Sequence, residues 1–242
     1  MTAFQTSSSA VVNFIPLPPS CVDAAIIDLD GTMVDTLGDF SEALNRMLQD
    51  LGLSPIDAGS IESMVGKGTE HLLRSVLKHV LPHYGADDVA IKIEELYPSA
   101  WASYQRHYLA INGQFAGVYS GVEAGLQALR ARGLRLACLT NKPTSFALPL
   151  LELKGLAGYF EHVFGGDAFE RKKPDPLPLL KTCEALGVSP ARTLMVGDSS
   201  NDAQAARAAG CPVVLVTYGY NHGQPVRAVD ADGFVDSLAQ LA

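Results

Sequence analysis

AAIIDLDGT, residues 24–32, is the stretch that decides the fold of this chain of 242 residues. Its apolar run ends abruptly at Asp30-Gly31, which predicts a strand of a parallel sheet, because such strands are buried on both faces. Asp28 and Asp30 leave the end of this strand close together, and Gly31 allows the chain to turn sharply. Two neighbouring carboxylates repel each other unless a cation or a proton offsets their charge. The stretch therefore predicts a buried strand that ends in a chemically active turn.

Four further strands are predicted, and helical patterns separate them. The strands lie at residues 134–139, 162–164, 193–196 and 213–216, and the helices at residues 122–132, 146–154, 177–186 and 202–209. A glycine follows each helix, in the left-handed position where the lack of a Cβ removes the steric penalty. Alternating strands and helices indicate an α/β fold with a Rossmann-like parallel-sheet core, formed by residues 21–36 and 116–242.

Residues 37–115 break this alternation, because they show helical patterns and no convincing strand. Apolar residues with helical spacing occur at residues 37–51, 72–80 and 89–108. We expect a small all-helical cap, inserted after the first strand, above the carboxyl ends of the sheet where ligands bind in such folds. The alternative is that these helices only add cover to the core. Residues 1–20 are expected to form a flexible N-terminal extension.

Composition and charge narrow the classes of function. Asp and Glu number 26 against 18 Lys and Arg, which gives a net charge of −8, and no local basic stripe offsets it. Such a chain repels phosphodiester backbones, so no nucleic-acid binding is expected. The four cysteines and six histidines form no recognisable transition-metal site. No apolar run approaches the roughly 18 residues that span a bilayer and no signal peptide is evident, so we expect a cytoplasmic protein without membrane contact.

Three more polar segments fall where predicted strands end. Thr140-Asn141 offers a hydroxyl and an amide to the oxygens of a phosphate. Lys173, between a loop and a proline-initiated helix, offers a positive charge to a phosphate or a carboxylate. Asp198 directly follows a strand, and Asp202 lies at the start of the next helix. Each segment alone can also be read as a helix cap or a solvated loop.

Taken together, these segments concentrate four acids, Asp28, Asp30, Asp198 and Asp202, at one edge of the sheet. That concentration is costly unless a hard cation accepts their oxygens as ligands. Mg²⁺ fits best, since it takes few carboxylates, keeps several waters and bridges to a substrate phosphate. The sequence thus predicts a Mg²⁺ site for a small phosphorylated substrate.

In their order and their position at strand ends, the four segments resemble motifs one to four of the haloacid dehalogenase superfamily. The resemblance covers residues 22–238. Within the superfamily, the chain is most similar to the phosphoglycolate phosphatase group, because of VDT at residues 34–36, VGKG at residues 65–68 and TNKP at residues 140–143.

This resemblance implies catalysis through a phosphorylated aspartate. Asp28 would attack phosphorus, and Asp30 would protonate the leaving alkoxide and then deprotonate the hydrolytic water. Lys173 would stabilise the phosphoryl charge and orient Asp28. Thr140 and Asn141 would hold phosphoryl oxygens.

The resemblance also implies how Mg²⁺ would be bound. Its ligands would be the carboxylates of Asp28 and Asp198 and the backbone carbonyl of Asp30. Asp202 would contact these ligands without binding the ion itself.

In the cap, Gly66 and Gly68 allow close backbone approach to a ligand, so Gly66 and Lys67 are candidate substrate-binding residues. Lys67 would face the end of the substrate remote from phosphorus, where phosphoglycolate carries a carboxylate. The alternative is that Lys67 is a solvated loop lysine.

The function that follows is that of a Mg²⁺-dependent phosphatase for a small phosphate monoester, best matched by 2-phosphoglycolate. Another small sugar phosphate, pyrophosphate, or a sugar-phosphate mutase reaction of the same superfamily stays open as an alternative. A different class is a receiver-type phosphoacceptor signalling module, which needs only about 120 residues and lacks an acid equivalent to Asp30. No feature of the sequence sets the oligomeric state.

Overall fold

A computed structural model describes residues 22–85 and 88–241. The extension predicted at residues 1–20 lies outside these described residues. Among the described helices, none combines the length and apolar character that a membrane span requires.

The described strands, numbered along the chain, are short, and the four at the centre of the main sheet are buried. They are β1 (Ala24–Ile27), β2 (Val34–Asp35), β3 (Gly117–Val118), β4 (Arg135–Leu139), β5 (His162–Phe164), β6 (Thr193–Gly197), β7 (Val213–Val216) and β8 (Gly233–Val235). Six of them form a parallel sheet in the order β5-β4-β1-β6-β7-β8. Ile27, at the end of β1, pairs with Cys138 of β4 and Val196 of β6. The residues that follow these three strands therefore emerge at one edge of the sheet.

The described α-helices divide into four that follow β2 and four that flank the sheet. They are α1 (Leu37–Asp50), α2 (Ala58–Glu62), α3 (Thr69–Val80), α4 (Val89–Ile111), α5 (Val122–Ala131), α6 (Thr144–Leu153), α7 (Leu177–Leu186) and α8 (Ser200–Ala209). Successive side chains of a strand point to opposite faces. Ala25 and Ile27 accordingly lie in one apolar core with α5 and α6, and Ala24 and Ile26 lie in another with α7 and α8. The predicted α/β fold with a parallel-sheet core is confirmed.

Helices α1 to α4 share a hydrophobic cluster of their own. The predicted apolar stripes of α1 and α3 supply much of it, and Tyr104 and Tyr108 of α4 are almost completely buried within it. Helix α4 continues through Pro98 without a break. Phe146 and Tyr220, from outside this helical segment, also join the cluster. The helices therefore pack on one another. Phe146 and Tyr220 mark the interface between these helices and the rest of the chain, which we call the seam.

The helical segment enters and leaves through a small antiparallel pair, in which Val34 of β2 lies opposite Val118 of β3. Beside it, the buried carboxylate of Asp39 accepts hydrogen bonds from the amides of Gly113, at 2.6 Å, and Phe115, at 2.8 Å. These contacts hold the start of α1 against the chain that follows α4. The boundaries predicted between residues 36 and 37 and between residues 115 and 116 lie next to this pair.

Candidate active site

The site begins with the turn that follows β1. The Asp28 amide donates to the Val196 carbonyl at 2.9 Å, which continues the sheet by one residue. The Leu29 carbonyl then accepts hydrogen bonds from the backbone amides of residues 32–34, and these three bonds fix a tight turn. Gly31 has a φ of +80°, and a Cβ there would lie 2.2 Å from Asp198 Oδ2. Only glycine allows this turn to approach Asp198 so closely.

Lys173 connects three elements below this turn. Its Nζ lies 3.0 Å from Asp28 Oδ1 and 2.7 Å from Asp202 Oδ1, and it donates to the Leu139 carbonyl at 2.9 Å. Its side chain is 2% exposed. A buried ammonium with two carboxylate partners is held in one position, so Lys173 places a fixed positive charge beside Asp28.

Asp202 has a dual structural role at the start of α8. Its Oδ2 accepts hydrogen bonds from the amides of Asp198 and Ser199, both at 3.2 Å, and from the Ser199 hydroxyl at 2.9 Å. Ser199 and Asp202 thereby form a capping box, which satisfies amides that have no partner within the helix. Since its other oxygen contacts Lys173, Asp202 ties the helix to the lysine beside Asp28.

Asp198 is held from the opposite side. Its Oδ2 accepts a hydrogen bond from the Tyr220 amide at 2.5 Å. The Tyr220 hydroxyl in turn accepts from the amides of Thr36, at 2.9 Å, and Leu37, at 3.1 Å. Tyr220 therefore connects the Asp198 turn to the segment that enters the helical cap. Sequence reasoning missed it, because its loop carries no periodic or motif signal.

Burial dominates the electrostatics of the acidic group. It raises the pKa of Asp28 to about 7, an effect that Lys173 opposes and that Asp202 and Asp30 reinforce. It also raises the pKa of Asp198 well above its usual range, together with the charges of Asp202 and Asp28. Burial alone would lower the pKa of Lys173, but its two carboxylate partners outweigh burial and raise it. Without a cation, the pocket thus disfavours the ionised forms of Asp28 and Asp198.

The donor set suits a hard divalent cation. Asp28, Asp198 and Asp202 each bring a carboxylate oxygen within 4.8 Å of the others. When all three are ionised they carry three negative charges, whereas Lys173 supplies one positive charge beside them. The two uncompensated charges match a divalent ion, and oxygen ligands are those that Mg²⁺ prefers.

The side chain of Asp30 points away from this cluster. Its Oδ1 accepts a hydrogen bond from the Thr36 hydroxyl at 2.8 Å and pairs with Lys142 Nζ at 2.9 Å. A contribution of Asp30 to metal binding would therefore come from its backbone, as the resemblance implies. Lys142 is the second buried lysine, and sequence reasoning gave it no role because a lysine in a loop usually reads as solvated.

Thr140 and Asn141 lie where they were predicted, at the end of β4. Asn141 Nδ2 donates to the Lys173 carbonyl at 2.8 Å and to the Gly66 carbonyl at 3.1 Å. Asn201 Nδ2 donates to the same Gly66 carbonyl at 3.0 Å. Gly66 is thus fastened to the sheet edge from two sides, and the cap loop closes over the site.

A cavity separates the sheet edge from the cap. It is lined by Asp28, Asp30, Thr140, Asn141, Lys142 and Phe146, and on the cap side by Phe40, Val65, Gly66, Gly68, Thr69, Leu72 and Tyr104. Lys67 is exposed and lines a neighbouring cavity with Lys172, Lys173 and Asn201. Of the predicted site residues, Asp28, Asp30, Gly66, Thr140 and Asn141 therefore line the first cavity, whereas Lys67 and Lys173 line the second.

The fold and the site together are those of an enzyme with a Rossmann-like parallel-sheet core and a polar site at the strand ends beneath a helical cap. The chain belongs to the haloacid dehalogenase-like hydrolases, which it matches over residues 22–210. The resemblance seen in the sequence is confirmed. The alternative of a receiver-type signalling module is wrong, because the chain belongs to a family of enzymes.

Relatives are similar over nearly the whole chain. A phosphoglycolate phosphatase of Thiobacillus denitrificans is 45% identical over 227 residues, 94% of this chain and 96% of its own. A plasmid-encoded phosphoglycolate phosphatase of Cupriavidus necator is 46% identical over 220 residues, 90% of each chain. The crystal structure of a predicted phosphoglycolate phosphatase from Haemophilus somnus superimposes with a TM-score of 0.86, at 30% identity, over 91% of this chain and 96% of the other.

Proposed function

We propose that this chain is a Mg²⁺-dependent phosphatase that hydrolyses 2-phosphoglycolate to glycolate and phosphate through a phosphoaspartyl intermediate. The observation that carries the proposal is the Asp28 carboxylate, which lies at the end of β1 with Lys173 3.0 Å from its Oδ1. The proposed substrate is the one named for relatives that share 45–46% of their residues with this chain.

The reaction divides into two steps with Asp28 and Asp30 in fixed roles. In the first, an Asp28 oxygen attacks phosphorus, the bond from phosphorus to the ester oxygen breaks, and Asp30 gives its proton to the departing glycolate. In the second, Asp30 takes a proton from water, the water oxygen bonds to phosphorus, and the Asp28–phosphorus bond breaks. The products are glycolate and inorganic phosphate, and both carboxylates return to their initial states.

Neighbouring residues make the approach of two anions feasible. A carboxylate and a phosphate dianion repel each other, and the Lys173 ammonium beside Asp28 offsets part of that repulsion. Thr140 and Asn141 follow β4 and line the cavity with Asp28. The Thr140 hydroxyl and the Asn141 backbone amide can hold phosphoryl oxygens, because the Asn141 side-chain amide already donates to the Lys173 and Gly66 carbonyls. Gly66 brings the cap backbone to the same cavity.

Mg²⁺ would be held by the carboxylates of Asp28 and Asp198 and by the backbone carbonyl of Asp30, with Asp202 holding Lys173 and the α8 terminus behind them. When bound, the ion would neutralise charge on the phosphoryl group and on its ligands. The raised pKa values of Asp28 and Asp198 support this proposal, because a bound cation would favour the ionised forms of both carboxylates.

The test compares phosphate release from 2-phosphoglycolate, a hexose 1-phosphate and pyrophosphate, each with Mg²⁺. We expect kcat/KM to be highest for phosphoglycolate. The matched control is Asp28→Asn, which keeps shape but removes most nucleophilicity, so release should fall by several orders of magnitude. Faster hydrolysis of the hexose phosphate or pyrophosphate would contradict the proposed substrate. Isomerisation of the hexose phosphate without phosphate release would instead identify a mutase.

A further inference from the structure

Lys142 is a buried cation at the seam between the cap and the sheet. Its Nζ donates to Asp30 Oδ1 at 2.9 Å and to the Tyr108 hydroxyl at 2.6 Å. The same Nζ lies 4.6 Å from the ring centroid of Phe40 and 4.7 Å from that of Tyr108. The residue is only 5% exposed. Two aromatic faces and two oxygen partners, three of these four groups from the cap, thus hold the ammonium in one place.

This ammonium has capacity for one more partner. A lysine ammonium carries three N–H donors, and Asp30 and Tyr108 are its two hydrogen-bond acceptors among the described residues. Lys142 also lines the catalytic cavity, and of the described residues that line it, Lys142 is the one cation. A third donor on a buried ammonium that lines the cavity can bind an anionic ligand group, and a buried ammonium gains much from each additional acceptor.

The chemistry of the substrate says which group that would be. Asp30 must lie within hydrogen-bond reach of the ester oxygen to protonate it. In phosphoglycolate, one methylene separates that oxygen from the carboxylate. A cation beside Asp30 is therefore within reach of that carboxylate, and the Lys142 Nζ lies 2.9 Å from the Asp30 Oδ1.

We propose that Lys142 binds the carboxylate of the substrate and thereby makes the enzyme selective for phosphate esters with an acidic tail. This inference rests on the proposed function. The apolar part of the cavity, with Phe40, Leu72 and Phe146, suits the methylene and excludes water around the ion pair. The sequence assigned this task to Lys67, which instead is exposed in the adjoining cavity.

The experiment compares Lys142→Met with the wild type on two substrates, phosphoglycolate and ethyl phosphate, which has the same chain length but no carboxylate. We expect kcat/KM for phosphoglycolate to fall about ten- to a hundredfold more than kcat/KM for ethyl phosphate, as for the loss of one charged hydrogen bond. A loss of folded protein cancels in this ratio, because both substrates are measured on one preparation. Lys181→Met, which removes an exposed lysine on α7, is the control and should leave the ratio unchanged.

A second arm measures binding without turnover. Calorimetry on the Asp28→Asn protein should show that adding Lys142→Met weakens binding of phosphoglycolate by a similar factor and that of ethyl phosphate much less. Equal losses for the two esters would overturn the inference and leave Lys142 as a residue that only positions Asp30. A selective loss in Lys67→Ala but not in Lys142→Met would overturn it in favour of Lys67. A wild type that prefers ethyl phosphate would refute the proposed substrate itself, and this inference with it.

Discussion

Removal of the Asp28 carboxylate should stabilise the metal-free protein, although it should also remove nearly all phosphate release. The pKa of Asp28 is raised from 3.8 to about 7, chiefly by burial. Between these pH values the folded protein binds a proton that the unfolded chain does not, so wild-type stability falls as the pH rises. The difference between the two pKa values corresponds to about 4 kcal/mol at pH 8. Because the raised pKa already includes the opposing attraction of Lys173, Asp28→Asn, which has no charge to bury, should gain most of this free energy, roughly 3–4 kcal/mol.

The assay is urea unfolding of wild type and Asp28→Asn in EDTA, at about pH 8 and about pH 4. We expect the variant to be clearly more stable at the higher pH only, because near pH 4 the folded carboxyl is protonated and the unfolded one is about half protonated, so the cost of ionisation is under about 1 kcal/mol. Saturating Mg²⁺ should reverse the order, since it binds the folded wild type through Asp28.

The control is Asp50→Asn, at a carboxyl with the opposite environment. Contacts with Ser103, His107 and Arg106 lower the pKa of Asp50. Its removal should therefore reduce stability at the higher pH. If the wild type proves more stable than Asp28→Asn in EDTA at about pH 8, the burial cost assigned to Asp28 is refuted.

Three further outcomes are expected. Lys173→Met should lower the free energy of unfolding by about 3–5 kcal/mol, because it leaves the Asp202 carboxylate buried without its cation. In the same urea titration, the exposed control Lys181→Met should change the free energy of unfolding by under about 0.5 kcal/mol. Similar effects of the two substitutions would contradict the buried ion pair. Asp30→Asn should slow both chemical steps, so that acid quenching can trap phosphoenzyme; phosphate release at the wild-type rate would exclude its acid–base role. EDTA should stop phosphate release and added Mg²⁺ should restore it; turnover that persists in EDTA would argue against a metal requirement.

The sequence predicted those elements whose local pattern and tertiary environment agree. The bounds predicted for β7 and α7 are those observed, because an uninterrupted apolar run marks the first and Gly187 ends the second. Strands β2, β3 and β8 were missed. They contain two or three residues each, too few to establish a period of two, and they depend on partners far along the chain.

The positions of the candidate site residues were predictable for a similar reason. Asp28, Asp30, Thr140 and Asp198 follow apolar runs directly, and parallel strands bring their carboxyl ends to one edge whatever the loops do. Their proximity therefore follows from sequence position alone. Asp202 was also recognisable, because its place three residues after Ser199 is that of a capping-box acid.

The burial of Lys142 could not be predicted from the sequence. The local sequence shows the lysine but not its burial. That burial depends on Tyr108, which lies 34 residues before Lys142, and on Phe40, which lies even earlier in the chain; both rings approach the ammonium. Lys67 offers the opposite case, since flanking glycines suggested a ligand contact but its side chain is exposed beside another cavity. The proposed catalytic groups lie at the edge of the sheet, and a single layer of strands determines the geometry of that edge. The candidate selectivity group belongs to a seam between two packed units, so substituting its cap partners should alter substrate preference while leaving the strand-end groups in place.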